Sequence, residues 1–256
     1  MSRGLGLLCI GEEGIGKTTF GLQFEKPLKC ISIRESGFDD LEDVGEVPEE
    51  CVNVNVTTHS GLYKELRSLQ DFATVLIDST SGLQKIVFQH IIDTCYGGSS
   101  DKFNAYYTGP RQDGPIFMGE VCQQLDLIRA KGCNVIVLGH RRIVDIKNPM
   151  GADYSSNVLQ MDDAVRETMV SWAQAVLYMA IDISITTTTK MNKEKQVTAG
   201  KASDVDNRVM YTQKSPAYQA KNRLQLPPVI PMGHSAQEAY KNFVSKLPPK
   251  IKERMH

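Results

Sequence analysis

The segment Gly11-Glu12-Glu13-Gly14-Ile15-Gly16-Lys17-Thr18 constrains this chain more than any other. It follows the pattern G-x-x-x-x-G-K-[ST] and lies between an apolar run, residues 5–10, and the helix-like Thr19-Phe20-Gly21-Leu22-Gln23-Phe24. A loop that wraps a polyphosphate with its backbone N–H groups needs glycine where a Cβ would block the approach or where φ must be positive. Gly11, Gly14 and Gly16 meet that need. The spacing aims Lys17 at the β- and γ-phosphates, offers the Thr18 hydroxyl to Mg²⁺, and turns the positive end of the helix opened by Thr19 toward the phosphates. Glu12, Glu13 and Ile15 fill the variable positions, so the expected phosphate-binding stretch is residues 11–19.

The chain around this loop can bury one sizeable α/β core, because its 256 residues are 41% apolar and 23% charged. No run of eighteen apolar residues occurs and the N-terminus carries no secretory pattern, so a cytoplasmic protein is expected. Six cysteines stand singly without a C-x-x-C pair and read as reduced core residues. The net charge of −1 carries no global nucleic-acid signature, yet charge is uneven: residues 34–50 hold eight acids against one base, and residues 182–223 hold eight bases against four acids.

Short apolar runs alternate with helix-like stretches: strands at 5–10, 28–33 and 51–56, helices after the phosphate loop and over 61–72. That alternation implies βαβ units and a mostly parallel sheet flanked by helices. Thr74-Val75-Leu76-Ile77-Asp78 is a further strand delivering a carboxylate at its C-terminal end. An Asp in that place is often only a helix cap, but beside a phosphate loop it can hold Mg²⁺ with Thr18. Ser79 and Thr80 are read as caps for a helix over 81–96.

Residues 97–117 break every period and read as a long loop that mixes Lys102 and Arg111 with Phe103, Tyr106 and Tyr107, suited to phosphate contact and base stacking. A helix over 120–130 and a buried strand, 134–140, follow, and His140 at its end is placed to sense the γ-phosphate. Residues 141–160 form a second aperiodic stretch with Arg141 and Arg142. Beyond it come a helix around Trp172, a strand near 176–185, a hairpin with an exposed, flexible tip over 186–206, and a strand at 208–212. The proline-rich 226–231 is expected to leave the sheet, and Ser235-Ala236-Gln237-Glu238 opens a last helix, so residues 1–232 form the core and 233–256 a C-terminal helix with a basic tail.

These residues together resemble a phage-type ATP-binding protein of the RecA-like P-loop ATPase class, over roughly residues 4–232. The resemblance rests on Gly11 to Thr19, Glu35, Ile77-Asp78-Ser79, Leu138-Gly139-His140 and Ala220-Lys221-Asn222-Arg223 followed by prolines. It implies a RecA-like α/β fold with a C-terminal antiparallel hairpin, ATP and Mg²⁺ as ligands, and Glu35 as the base toward the attacking water. It also implies that residues 97–117 and 141–160 hold single-stranded DNA, that the chain forms a homo-oligomeric ring or filament, and that Lys221 and Arg223 act in trans at a neighbour's γ-phosphate. The expected activity is a DNA-dependent ATPase of recombination or strand annealing, with a single-strand DNA-binding protein as a candidate partner. His140 stands where RecA itself has glutamine. The alternative kept open is a nucleotide-dependent switch or assembly factor, helicase-loader-like or KaiC-like, for which DNA is no ligand.

Overall fold

The computed structural model describes residues 3–69, 71–182, 184–192, 195–203 and 207–253, with only the backbone pairing described for 184–192 and 195–203. The chain runs β1 (Gly6–Gly11), α1 (Lys17–Gly21), β2 (Leu28–Ser32), α2 (Gly37–Asp43), β3 (Cys51–Asn55), α3 (His59–Arg67), β4 (Thr74–Asp78), α4 (Thr80–Cys95), α5 (Ser100–Asn104), α6 (Gly114–Ala130), β5 (Asn134–Ile146), β6 (Tyr154–Leu159) and α7 (Asp163–Trp172). It continues through β7 (Ala175–Ile181), β8 (Ser184–Asn192), β9 (Lys195–Ser203), β10 (Arg208–Tyr211), β11 (Lys221–Asn222), β12 (Val229–Pro231), α8 (Ala236–Lys246) and α9 (Pro249–Lys252).

Every residue of β1, β2 and β4 is buried, as befits strands covered by helices on both faces. The main sheet has the order β12-β10-β7-β1-β5-β4-β2-β3. All pairings from β7 to β3 are parallel, and β10, β11 and β12 close that edge antiparallel. Alternation along β1 sorts the core into two layers. Leu8 and Ile10 join Leu62 of α3, Leu83 and Val87 of α4, Met118 and Leu125 of α6 and Met169 of α7. Leu7 and Cys9 face the other way, to Phe20 of α1, Phe38 of α2 and Phe243 of α8. Among the described residues the cysteines are free, four of them buried, in keeping with reduced core residues.

Three expected loops are ordered otherwise. Residues 97–117 are largely helical: Ser99 accepts the Lys102 N–H to cap α5, a π-helical turn spans Gly109–Asp113, and α6 begins at Gly114, well before 120. The anchors are tertiary. Phe103 is buried against Phe88 and Tyr96, and the Tyr96 hydroxyl donates to Asp113 at 2.5 Å. Residues 141–160 form an antiparallel hairpin, because β5 runs past the sheet and pairs Arg141↔Leu159 through Ile146↔Tyr154 with β6. Polar residues on both faces of that ribbon removed the period on which a sequence reading depends. Finally, the proline-rich 226–231 does not leave the sheet entirely: β12 pairs with β10 at the edge, where a missing proline donor is tolerated.

The antiparallel C-terminal hairpin is present as β8 and β9, and its turn lies outside the described residues. Helix α8 opens on the expected cap, the Ser235 hydroxyl accepting the Glu238 N–H at 3.1 Å. It lies against α1, with the Phe243 ring 5.8 Å from Phe20 in edge contact and the Tyr240 hydroxyl donating to Glu25 at 2.8 Å. Because Phe243 is fully buried, Phe243→Ala is expected to cost about 3–5 kcal/mol. In chemical denaturation the variant's single transition should move to lower denaturant, whereas a separately folding tail would leave the midpoint of the core unchanged.

Candidate functional site

The parallel strands end together at one edge of the sheet. Register places Gly11 beside His140, and Asp78 beside both Leu138 and Ser32. The loop after β1 has the backbone its glycines imply: Gly14 and Gly16 hold φ of 74° and 99°, and a Cβ on Gly11 would lie 2.7 Å from the carbonyl oxygen of Met179. Lys17 is buried to 7% exposure and its ammonium donates to the carbonyls of Gly11 (3.2 Å) and Glu12 (2.6 Å) at the loop's entry. Burial lowers its pKa, and the opposing charges of Asp78 and Glu35 act against that shift.

The Thr18 hydroxyl donates to Asp78 Oδ2 at 2.9 Å. A hydroxyl and a carboxylate side by side are hard oxygen donors of the kind Mg²⁺ takes when phosphates and water complete its shell. Asp78 is 6% exposed, and burial raises its pKa while the Thr18 hydrogen bond lowers it. Its neighbour Ser79 points elsewhere. Ser79 stands at the N-cap of α4 but makes no side-chain cap bond; its hydroxyl donates to Glu35 Oε1 at 2.5 Å. His140 Nε2 lies 3.4 Å from the same oxygen. Glu35 reaches this place because Arg34 turns the chain with a φ of 59°, a left-handed conformation costing about 1–3 kcal/mol in a residue with a Cβ. On the other side, Gly82 lets α4 approach so closely that an added Cβ would lie 1.9 Å from the Ile33 carbonyl oxygen.

Lys17, Thr18, Glu35, Asp78 and His140, distant in sequence, thus line one cavity of about 540 Å³ with Gly14 and Gly16. A second cavity of about 620 Å³ meets it at Thr19 and is lined by Gln23, Val47, Arg208, His234 and Gln237. No local pattern marks this neighbour, since its walls bring Thr19 and Gln23 together with residues 45–48, Arg208 and residues 234–237. A third, of about 450 Å³, lies beyond Glu35 and His140 and is lined also by Ser81, Lys85, Arg142 and Asp162.

Other expected residues fall outside this cluster. Arg141 pairs with Glu12 of the phosphate loop and with Asn157 (2.9 Å), and Arg142 pairs with Asp163. Lys221 lies on β11 opposite Val176, at the end of β7 remote from Gly11, and its ammonium donates to the carbonyls of Val170 and Ser171 at 2.8 and 2.7 Å. Burial lowers its pKa to about 8, with Arg223 adding to the shift; Arg223 itself is exposed. Tyr106 is fully exposed, and both it and Tyr107 hold positive φ, 52° and 58°.

Residues 3–224 match the family model AAA_24, described as an AAA domain. No curated protein matches the chain.

The direction of the Asp78 shift supplies a test. A carboxylate with a raised folded-state pKa favours folding below its unfolded pKa and loses that contribution as pH rises through the folded value. At pH 7 the charge is therefore a burden on the ligand-free fold. Asp78→Asn should be at least as stable as the wild type at pH 7 by thermal denaturation, with the difference shrinking on acidification below the folded pKa. The same variant should bind Mg²⁺ with nucleotide roughly 10- to 100-fold more weakly.

Proposed function

The chain belongs to the AAA_24 family of AAA domains, and on that premise we propose that it binds Mg²⁺–ATP and hydrolyses it in a manner linked to single-stranded DNA, in phage-type recombination or strand annealing. The observation that carries the reading is the placement of the Thr18–Asp78 pair and of Glu35 on the walls of one cavity with Lys17. A Mg²⁺ bound at Thr18 and Asp78 would neutralise charge between the β- and γ-phosphates. The loop N–H groups and Lys17 hold the phosphates, Glu35 takes a proton from the attacking water, and His140 meets the γ-phosphate side of the site. The cavity that joins this one at Thr19 has room for the nucleoside, with Val47 and Arg208 on its walls.

Support for a single strand as ligand comes from Tyr106, whose ring stands fully clear of the protein on a segment that also carries exposed Lys102. Assembly into a ring or filament would bring the exposed Arg223 of one copy toward the γ-phosphate of the next, and Lys221 beside it would hold the end of α7. The rival reading, a nucleotide-dependent switch or assembly factor, is favoured by the pairing of Arg141 and Arg142 with acids of the chain itself. In that reading the hairpin of β5 and β6 communicates with the phosphate loop and meets a protein.

The following measurements test the nucleotide site and separate the two readings. Lys17→Ala should lose Mg²⁺–ATP binding with the fold intact, and Glu35→Gln should keep binding and lose turnover; retained affinity in the first or wild-type turnover in the second rejects the respective role. Single-stranded DNA should accelerate hydrolysis by the wild type, and Tyr106→Ala should weaken DNA binding by about 1–3 kcal/mol. Unaltered hydrolysis with DNA points to the switch. Mixing Arg223→Ala with Lys17→Ala subunits should restore part of the turnover that each lacks alone, and no recovery in co-assembled mixtures removes Arg223 from the site.

A further inference from the structure

Glu35 can act as a base only if its carboxylate is held toward the γ-phosphate side of the cavity, and its own backbone does little to hold it. Glu35 follows a left-handed residue, precedes the short helix α2, and its side chain retains 27% exposure. The contacts that reach the carboxylate come from β5 and from the N-cap of α4. His140 approaches Oε1 at 3.4 Å, a long contact, whereas Ser79 donates to the same oxygen at 2.5 Å.

We infer that Ser79 is a positioning residue for Glu35, fixing one carboxylate oxygen so that the other faces the cavity. This rests on the reading of Glu35 as base. Four features of the site converge on it. Ser79 is 1% exposed, so its hydroxyl has no bulk water to turn to. It occupies the N-cap place of α4, where a serine ordinarily accepts a backbone N–H, yet makes no such bond. A hydroxyl has one proton, and donation to Glu35 consumes it, so the 2.8 Å contact between the Ser79 and Ser81 hydroxyls has Ser81 as donor. Ser81 therefore orients Ser79, and Ser79 orients Glu35. Gly82 permits the whole arrangement, since the first turn of α4 lies against the Ile33 carbonyl where any Cβ would collide.

Adjacent residues, the last of β4 and the one after it, then serve the two halves of hydrolysis. Asp78 turns to Thr18, with which it would hold the metal, and Ser79 turns to Glu35, which would take the proton of the water. A proton relay through Ser79 and Ser81 is unnecessary to this scheme, because Glu35 lines the cavity beyond it directly and can release its proton there.

The experiment compares ATP turnover and ATP affinity in the wild type, Ser79→Ala, Ser79→Thr, Glu35→Gln and the double variant Ser79→Ala/Glu35→Gln. Misplacing a reacting group by about an ångström costs on the order of 10²-fold in rate, so Ser79→Ala should lower kcat roughly 10- to 100-fold with ATP affinity within about twofold of the wild type. Ser79→Thr, which keeps the hydroxyl, should recover most of the rate. Because Ser79 acts through Glu35, the double variant should be no slower than Glu35→Gln alone. Wild-type kcat in Ser79→Ala, an added loss in the double variant, or loss of ATP binding together with turnover in Ser79→Ala would each overturn the inference. Full turnover by Glu35→Gln would instead remove Glu35 as base, which is a different failure and is read from a different protein.

Discussion

The burial of Lys17 at the start of α1 and of Asp78 at the end of β4 is the constraint around which the edge of the sheet is built. Neither charge is favoured there, and burial moves the pKa of each toward its neutral form. A fold selected for stability alone would fill these positions with apolar groups. The chain instead spends its local contacts on keeping them polar: Thr18 on Asp78, and two loop carbonyls on Lys17. The core beneath supplies the rigidity, since β1, β4 and the first half of β5 are continuously buried and pair in register up to Gly11, where the loop carrying Lys17 begins, and to Asp78.

From that edge two lines of contact run outward. One passes along β4 and α4, where Gly82 admits the helix against Ile33 and Ser79, contacted by Ser81, reaches Glu35. The other passes along β5, which carries His140 to Glu35 and then, one residue later, Arg141 to Glu12 and Asn157. Both lines meet at the Glu35 carboxylate, and the second also reaches the phosphate loop at Glu12. The Arg141–Glu12 pair thus ties the phosphate loop to the hairpin of β5 and β6.

Much of the parallel layer was legible in the sequence because its signals are local. Continuous apolar runs ended by Gly11 and Asp78 specify buried strands, and the glycine spacing of the phosphate loop specifies its φ values. The proximity of Asp78 to Thr18 followed from the parallel topology and is seen as a hydrogen bond. What remained hidden depends on contacts between distant segments. The helical character of residues 97–113 rests on Phe103 packing against Phe88 and on a bond from Tyr96 to Asp113, neither of which leaves a period. Ser79 read as a helix cap because that is what a serine before a helix usually is; only the fold brings Glu35 within its reach. The cavity beside Thr19 likewise draws on residues near 47, 208 and 234–237, which no spacing rule connects.

The placement of Arg141 bears on how ligand binding outside the nucleotide cavity could be felt within it. Its guanidinium joins Glu12, two residues from Gly14, to Asn157 across the hairpin, and Asn157 in turn bonds the Ala217 carbonyl at 3.0 Å. A phosphate group competing for Arg141 would have to break the pair with Glu12 first. Since an exposed ion pair is worth only about 0–1 kcal/mol, that competition costs little, and the released Glu12 would lie at the entry of a loop whose carbonyls already hold Lys17. Arg141 is thus cheaply displaced from Glu12, and what its pairing supplies in the structure is a link from the hairpin of β5 and β6 to the phosphate loop.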